Sequence, residues 1–217
     1  MFAVIFEVQP KKDRWDDYLA LAGQLKPKLE AIDGFNDNER FRSRRTEGRL
    51  LSLSTWRDEK AVIRWRTHGE HHDAQEKGRF EVFQDYHLRV GEITADTRPP
   101  QGLAVEQKRL DETEIGAAKA VTVTELTPRE GARDLAAALG LDPLAGGLVD
   151  HELFESISNT GKLLLLASWR DADSARAWIP TAAAGPLRHR EVRIVRDYGM
   201  FDRREAPQFY RDVPASP

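Results

Sequence analysis

Apolar and polar positions alternate along Leu50-Leu51-Ser52-Leu53-Ser54-Thr55-Trp56, and a more apolar version of the same run, Leu163 to Trp169, comes later in the chain. Such runs predict β-strands with one or both faces buried. A polar turn ending in glycine precedes each, Thr46-Glu47-Gly48 and Asn159-Thr160-Gly161, and before each turn lies another extended stretch, Phe35–Ser43 and Val149–Ile157. Strand, tight turn and strand predict a β-hairpin in each place. Asp58 and Asp171 stand directly after the hairpins, where a helix N-cap belongs. Ala61, Val62 and Trp65, and again Ala175 and Trp178, follow at helical spacing.

The two stretches share one offset, 113 residues. In the 31 positions from Phe35 to Trp65, 11 residues recur unchanged: Glu39, Phe41, Ser43, Gly48, Leu50, Leu51, Leu53, Trp56, Arg57, Asp58 and Trp65. Unrelated sequence would give about two, and a match at a fixed period means one structural unit used twice. In copy one, Phe2–Val8 reads as a strand. Asp13–Ala31 reads as a helix with Trp15, Tyr18, Leu19, Ala22, Leu25 and Leu29 on one face and a kink expected at Pro27. After the hairpin, a helix from Glu59 is interrupted at Gly69 and resumes, Phe80–Phe83 connects, and Tyr86–Ile93 is the fourth strand. Copy two reads as a strand at Ala118–Leu126, an Ala-rich helix at Pro128–Leu139, the hairpin, a helix at Asp171–Ile179 and a last strand at Val192–Asp202.

Each copy therefore has the order β-α-β-β-α-β. The predicted fold class is α+β, two tandem ferredoxin-like units, each a four-stranded antiparallel sheet with helices on one face. Leu163–Leu166 is continuously apolar, as a strand covered on both faces requires. Two bare sheet faces can cover each other, so the units are expected to close an intramolecular barrel. The expected division is residues 1–96 for copy one, 97–117 for a linker holding Arg98-Pro-Pro-Gln-Gly, 118–202 for copy two, and 203–217 for a tail.

Composition narrows the function. The 217 residues are 40% hydrophobic and 32% charged with net charge −3, the signs intermixed, so there is no basic footprint for nucleic acid. The absence of cysteine excludes disulfides, thiolate metal sites and cysteine nucleophiles. The apolar N-terminal run is too short for a signal peptide, and no run approaches the ~18 apolar residues of a membrane span. The expectation is a cytoplasmic protein with a small-molecule ligand, no nucleic-acid or membrane partner, and room for a homo-oligomer through other surfaces.

The candidate chemistry lies in copy one. His68, His71 and His72 follow Trp65 closely, and histidine titrates near neutrality, so His71 or His72 is a candidate general base. His68 and His72 would share a helical face as metal-binding pairs do, but Gly69 interrupts the helix and no third ligand is identifiable, so no metal is expected. The bland alternative is a solvated polar helix start near the cavity mouth; in the functional reading His68 is a further candidate substrate contact. Trp65 either packs in the core or lines the cavity and stacks on substrate. Arg40, Arg42 and Arg44 share a strand face. They form either an ion-paired surface with Asp37, Glu39 and Glu47 or an anion clamp, for which Arg42 is the candidate. Tyr86 is a further candidate contact, although the Asp85-Tyr86 pair matches Asp197-Tyr198 and so also fits a sheet-closing role. Copy two reads Thr181-Ala-Ala-Ala-Gly-Pro where copy one carries its histidines, which points to one working site and one scaffold.

Thr55-Trp-Arg-Asp-Glu-Lys-Ala, Trp65 with the histidine segment, and Tyr86-His-Leu-Arg-Val resemble the antibiotic biosynthesis monooxygenase superfamily of dimeric α+β barrels. Ser168-Trp-Arg-Asp-Ala-Asp-Ser-Ala and Trp178 carry the resemblance in copy two. It implies a substrate cavity between sheet and helices lined by Trp65 or Trp178, with no metal or flavin cofactor. Haem-degrading members of that superfamily pair the Trp with a His ten residues later and an Asn on the first strand. Here Gln75 and Arg188 stand at those places, and neither Met1–Gln9 nor Ala118–Thr127 contains Asn. The anthrone-type Asn position holds Ala61 and Ser174. Two functions fit: a cofactor-independent monooxygenase-like enzyme for a small aromatic or quinol-type substrate, or a non-catalytic ligand-binding or stress-response barrel.

Overall fold

The computed structural model describes residues 1–128, 134–181, 185–211 and 213. Unit one runs β1 (Phe2–Pro10), α1 (Trp15–Glu30), β2 (Phe35–Ser43), β3 (Leu50–Trp56), α2 (Glu59–Arg66), α3 (Gly69–Lys77), a π-helical turn at Gly78–Val82, and β4 (Phe83–Asp96). Unit two runs β5 (Ala120–Leu126), α4 (Leu135–Ala138), β6 (Leu148–Ser156), β7 (Leu163–Trp169), α5 (Ala172–Ala177) and β8 (Leu187–Gly199). The helix expected at Pro128–Leu139 includes residues 129–133, which lie outside the described residues. Within the rest, only Leu135–Ala138 is helical. Asp58 Oδ1 accepts from Ala61 N at 2.9 Å and Asp171 Oδ1 from Ser174 N at 2.7 Å, so both helices carry the cap that the repeat predicts. α1 continues through Pro27 to Glu30.

The strands form one closed antiparallel barrel in the order β1-β3-β2-β6-β7-β5-β8-β4. The two ferredoxin-like sheets join edge to edge, which removes all open edges. At one seam Phe41 pairs with Ser156, Arg42 with Glu155, and Ser43 with Phe154. These are the repeat positions exchanged about a pseudo-twofold axis, as an isologous dimer interface requires. At the other seam β4 and β8 pair from His87–Gly199 to Asp96–Arg190. Both strands are longer than their own apolar runs because each is completed by the other.

Alternation explains why the repeat is conserved within the chain. Phe41, Leu51 and Leu53 and their copies Phe154, Leu164 and Leu166 are buried together in the lumen with Ile5, Ile93, Val121 and Ile194. Each such side chain contributes roughly 1.5–3 kcal/mol by leaving water. Leu50 and Trp56 point the other way, toward the helices of unit one, and Leu163, Leu165 and Trp169 toward those of unit two. The segment joining the units also packs on the barrel. Leu103 and Val105 lie against the lumen cluster, and buried Glu92 accepts from the backbone N–H of Lys108 and Arg109 at 2.6 and 2.9 Å.

Charged networks fill the ends of the lumen in matching positions. Glu7 accepts from Arg89 at 2.6 Å and Arg49 at 2.7 Å, and Arg89 donates across the unit boundary to Ser168 Oγ at 2.8 Å. At the other end Glu125 pairs with Arg190 and Lys162, and Lys162 also reaches Glu39 of unit one. Glu7, Arg89, Glu125 and Arg190 are buried but paired, so losing one partner is more costly than the net value of the pair.

Candidate active site

A cavity of about 200 Å³ lies between the helix-facing side of the unit-one sheet and α1, α2 and α3. Its walls are mostly apolar, with Val4, Phe6, Leu25, Val62, Leu88 and Trp65 among them. Trp65 ends up here because Asp58 starts α2 in the register that puts Ala61 and Val62 into the core and Trp65 one turn further along, at the helix's inner edge.

His71 stacks on Trp65 with ring centroids 4.0 Å apart and planes 14° from parallel. Its Nδ1 lies 2.9 Å from the Trp65 carbonyl oxygen. A carbonyl only accepts, so Nδ1 carries the hydrogen and Nε2 of the neutral ring holds the lone pair. Burial pushes the His71 pKa down to about 4. The hydrogen bond to Trp65 opposes this, while the neighbouring His68 and His72 add to it. His71 is therefore neutral at physiological pH.

The other residues singled out from the sequence are placed as follows. His68 precedes α3 with its ring 6.0 Å from that of Trp65, and its buried Nδ1 has no hydrogen-bond partner. His72 is exposed, stacks on Tyr210 at 5.4 Å and has Nδ1 3.1 Å from the Tyr210 hydroxyl. His68 and His72 thus do not converge on a common point. Tyr86 is buried behind the cavity, edge-on to Phe83, and its hydroxyl oxygen accepts from Arg79 at 2.8 Å and Arg203 at 2.6 Å. Arg42 is exposed at the β2–β6 seam, paired with Glu155 in the ladder.

Its strand neighbour Arg40 does line the cavity, as do Arg66 at the end of α2 and Arg196 from β8 of unit two. The Nε atoms of Arg40 and Arg66 are buried without a hydrogen-bond partner. The cavity carboxylate, Glu59, is committed to Arg109 at 2.6 Å, and the cavity lysine, Lys26, to Glu30 at 3.8 Å. Alternation placed Arg40 and Arg42 on one face, but only tertiary structure shows that the helices cover position 40 and stop short of 42. Arg196 and Tyr198 reach the site from unit two and Pro207 from the segment after it, and no local pattern in unit one announces them.

Trp178 is 8% exposed, stacked on Trp169 at 5.9 Å and edge-on to His189 at 5.4 Å.

Residues 1–77 match the family model for antibiotic biosynthesis monooxygenase, a stretch that ends with the last residue of α3. A Pyricularia oryzae (strain 70-15) protein named jasmonate monooxygenase ABM is 47% identical over 223 aligned residues, covering 100% of both chains. The chain belongs to the antibiotic biosynthesis monooxygenase family. The chain also aligns in part with the uncharacterized protein YqjZ of Bacillus subtilis, 38% identical over 50 residues, 23% of this chain and 44% of that protein. Among solved structures, aldoxime dehydratase OxdRE in complex with butyraldoxime has a TM-score of 0.56 at 13% identity, covering 89% of this chain and 79% of that one, a likeness of fold. In this family member the stretch matched by the family model contributes α2, α3, Trp65, His71 and Arg40, while Arg196 comes from beyond it.

Proposed function

We propose that this family member is a monooxygenase for a small, largely apolar carboxylate bound in the unit-one cavity. The observation that carries this reading is the pair of unpartnered, buried guanidinium Nε atoms, on Arg40 and Arg66, in an otherwise apolar chamber beside the Trp65–His71 stack. A guanidinium N–H buried without an acceptor is costly, and a ligand carboxylate supplies the missing one. The relative from Pyricularia is named for jasmonate, a carboxylate, which makes jasmonate the first substrate to try.

His71 is the candidate base. Nε2 is unprotonated at neutral pH and takes a proton from an acidic O–H or C–H of the bound molecule; the anion gives electrons to O₂ to form a peroxide on a carbon that still bears hydrogen, and the peroxide takes up the proton and loses water to leave a carbonyl, so the substrate itself supplies all four electrons. A pKa of about 4 makes the empty-site imidazole a weak base, but a bound carboxylate raises it by stabilising the imidazolium. Trp65 presents a flat wall, which equally suits a phenol or quinol, so a hydroquinone panel belongs in the same assay.

The test is calorimetric titration with jasmonate and with its methyl ester, followed by oxygen uptake. The expected result is acid binding at least ~10-fold tighter than ester binding, with Arg40→Leu and Arg66→Leu removing the preference, since a charge-assisted hydrogen bond is worth ~1.5–3 kcal/mol. Equal affinity for acid and ester in the wild type would overturn the carboxylate assignment. Tight binding without oxygen consumption would favour the non-catalytic barrel.

A further inference from the structure

Residues 203–211 leave β8 of unit two and cross onto unit one. Arg203 donates to the Tyr86 hydroxyl at 2.6 Å and to the Gln208 carbonyl oxygen at 3.0 Å, and its guanidinium lies 5.3 Å from the Tyr210 ring centroid. Glu205 anchors the start of the segment by accepting from Thr113 Oγ1 at 2.8 Å and from Asp197 N at 2.7 Å. Side chains then alternate: Gln208 and Tyr210 turn toward α3, while Phe209 is 92% exposed.

Both inward residues meet the Gln75 side chain. Gln208 Nε2 donates to Gln75 Oε1 at 3.0 Å and to the Arg66 carbonyl oxygen at 3.2 Å, and the Tyr210 hydroxyl donates to Gln75 Oε1 at 2.8 Å. An amide oxygen that receives two donors cannot exchange places with its nitrogen without losing both bonds. The Gln75 NH₂ is thereby turned toward His71, 3.3 Å from each ring nitrogen.

We propose that Gln208 and Tyr210 are positioning residues for His71: by holding the Gln75 amide, the C-terminal strap keeps an N–H donor, and not an acceptor, facing the imidazole, and so reinforces the Nδ1–H tautomer that the Trp65 carbonyl sets. The ring has a fixed acceptor, the Trp65 carbonyl, at Nδ1 and a fixed donor, Gln75, at its edge, and one neutral tautomer satisfies both. The inference rests on His71 being the working base only for its functional meaning; the hold on the tautomer is a separate, measurable property. The charged groups around the ring are Arg40, Arg66, Arg196, Lys26 and Glu59 in the cavity wall, His68 and His72 on either side, and Glu76 on α3 and Arg203 in the strap near Tyr210. Glu59 is paired with Arg109, so it does not serve the ring.

The experiment is long-range ¹H–¹⁵N correlation spectroscopy of the full chain labelled at its six histidines, with His71 assigned by loss of its signals in His71→Asn. Wild type should show one Nδ1–H tautomer that stays neutral down to about pH 4. In Gln208→Glu/Tyr210→Phe the new carboxylate accepts from Gln75, the amide turns over, and its oxygen faces the ring. His71 then lies between two acceptors, and its pKa should rise from about 4 past the ordinary value of 6.5. In Gln208→Met/Tyr210→Phe the amide is unlocked and its oxygen can face the ring, so the His71 pKa should rise from about 4, by less than in the Glu variant. The His87 and His189 signals report an intact barrel. Unchanged His71 tautomer and titration in both folded variants would overturn the proposal and leave the strap as a cover only. If the tautomer responds but oxygen uptake with jasmonate does not change, the strap's hold on His71 stands and the reading of His71 as base fails.

Discussion

Replacing Trp65 and Trp178 by alanine separates the working unit from the scaffold. Trp178 is 8% exposed and wedged between Trp169 and His189, so its removal leaves a void that the barrel wall cannot close. The expected cost is about 3–5 kcal/mol. At about 2–4 °C per kcal/mol for a chain of this size, Tm should fall by roughly 6–20 °C. Trp65 is only partly buried and already borders open volume, so Trp65→Ala removes its transfer and stacking energy with little new cavity, about 1.5–3 kcal/mol. The hydrogen bond from His71 survives because it is made to the Trp65 backbone. Ligand affinity should respond in the opposite order. Loss of a stacking wall worth about 1–2 kcal/mol weakens binding some 5- to 30-fold in Trp65→Ala, whereas Trp178→Ala should bind normally in its folded fraction. Urea denaturation gives the fraction folded, and titration with jasmonate or a hydroquinone gives the affinity. Equal loss of affinity in the two variants, or loss with Trp178→Ala alone, would refute the assignment of the site to unit one.

Glu7 offers a pH test: burial pushes its carboxyl up, but Arg89, the hydrogen bond with His87 and Arg49 outweigh burial and leave it at about 2. A depressed carboxylate contributes stability above its unfolded value near 4.5 that is lost as pH falls toward 2, about 3 kcal/mol in all, so urea midpoints should drop across that window and drop less in Glu7→Gln. At pH 7, Glu7→Gln should itself cost roughly 3–5 kcal/mol, because Arg89 is left buried beside a neutral group. For His87 burial acts downward, but hydrogen bonds to Asp197 and Glu7 prevail and raise its pKa. Its stabilisation is present below the unfolded value and lost as pH rises through the folded one, so the stability gap between wild type and His87→Asn should narrow as pH rises above the ordinary value of 6.5. Gly34 sits at φ +91°, and an added Cβ would lie 2.7 Å from that of Ala61, so Gly34→Ala should cost more than the ~1–2 kcal/mol of the left-handed backbone alone, read as a drop in urea midpoint.

The repeat at 113 residues, the hairpins and the Asp58 and Asp171 caps were legible because each is a local rule: alternation, a glycine turn, a side chain reaching three residues ahead. Trp65 and the histidine segment close behind it were legible as candidates, with His71 or His72 as base, because they are neighbours in the chain. Long-range packing decided the rest. Nothing local distinguishes His71 from His72; α3 rests on Trp65 on one side and meets Tyr210 of the strap on the other. Arg40 and Arg42 share a face, but the helices cover only the first. β8 begins at Leu187, five residues before the apolar run that marks it, because Arg188 and Arg190 find Asp96 and Glu125 only when the barrel closes. A charged strand reads as surface until its partners are known, and those partners lie 92 and 65 residues away in the chain. The sequence by itself determined the repeating unit. Tertiary closure alone decided which polar side chains of one unit complete the site of the other, because a partner's distance in space is set by the sum of all the strand registers between them.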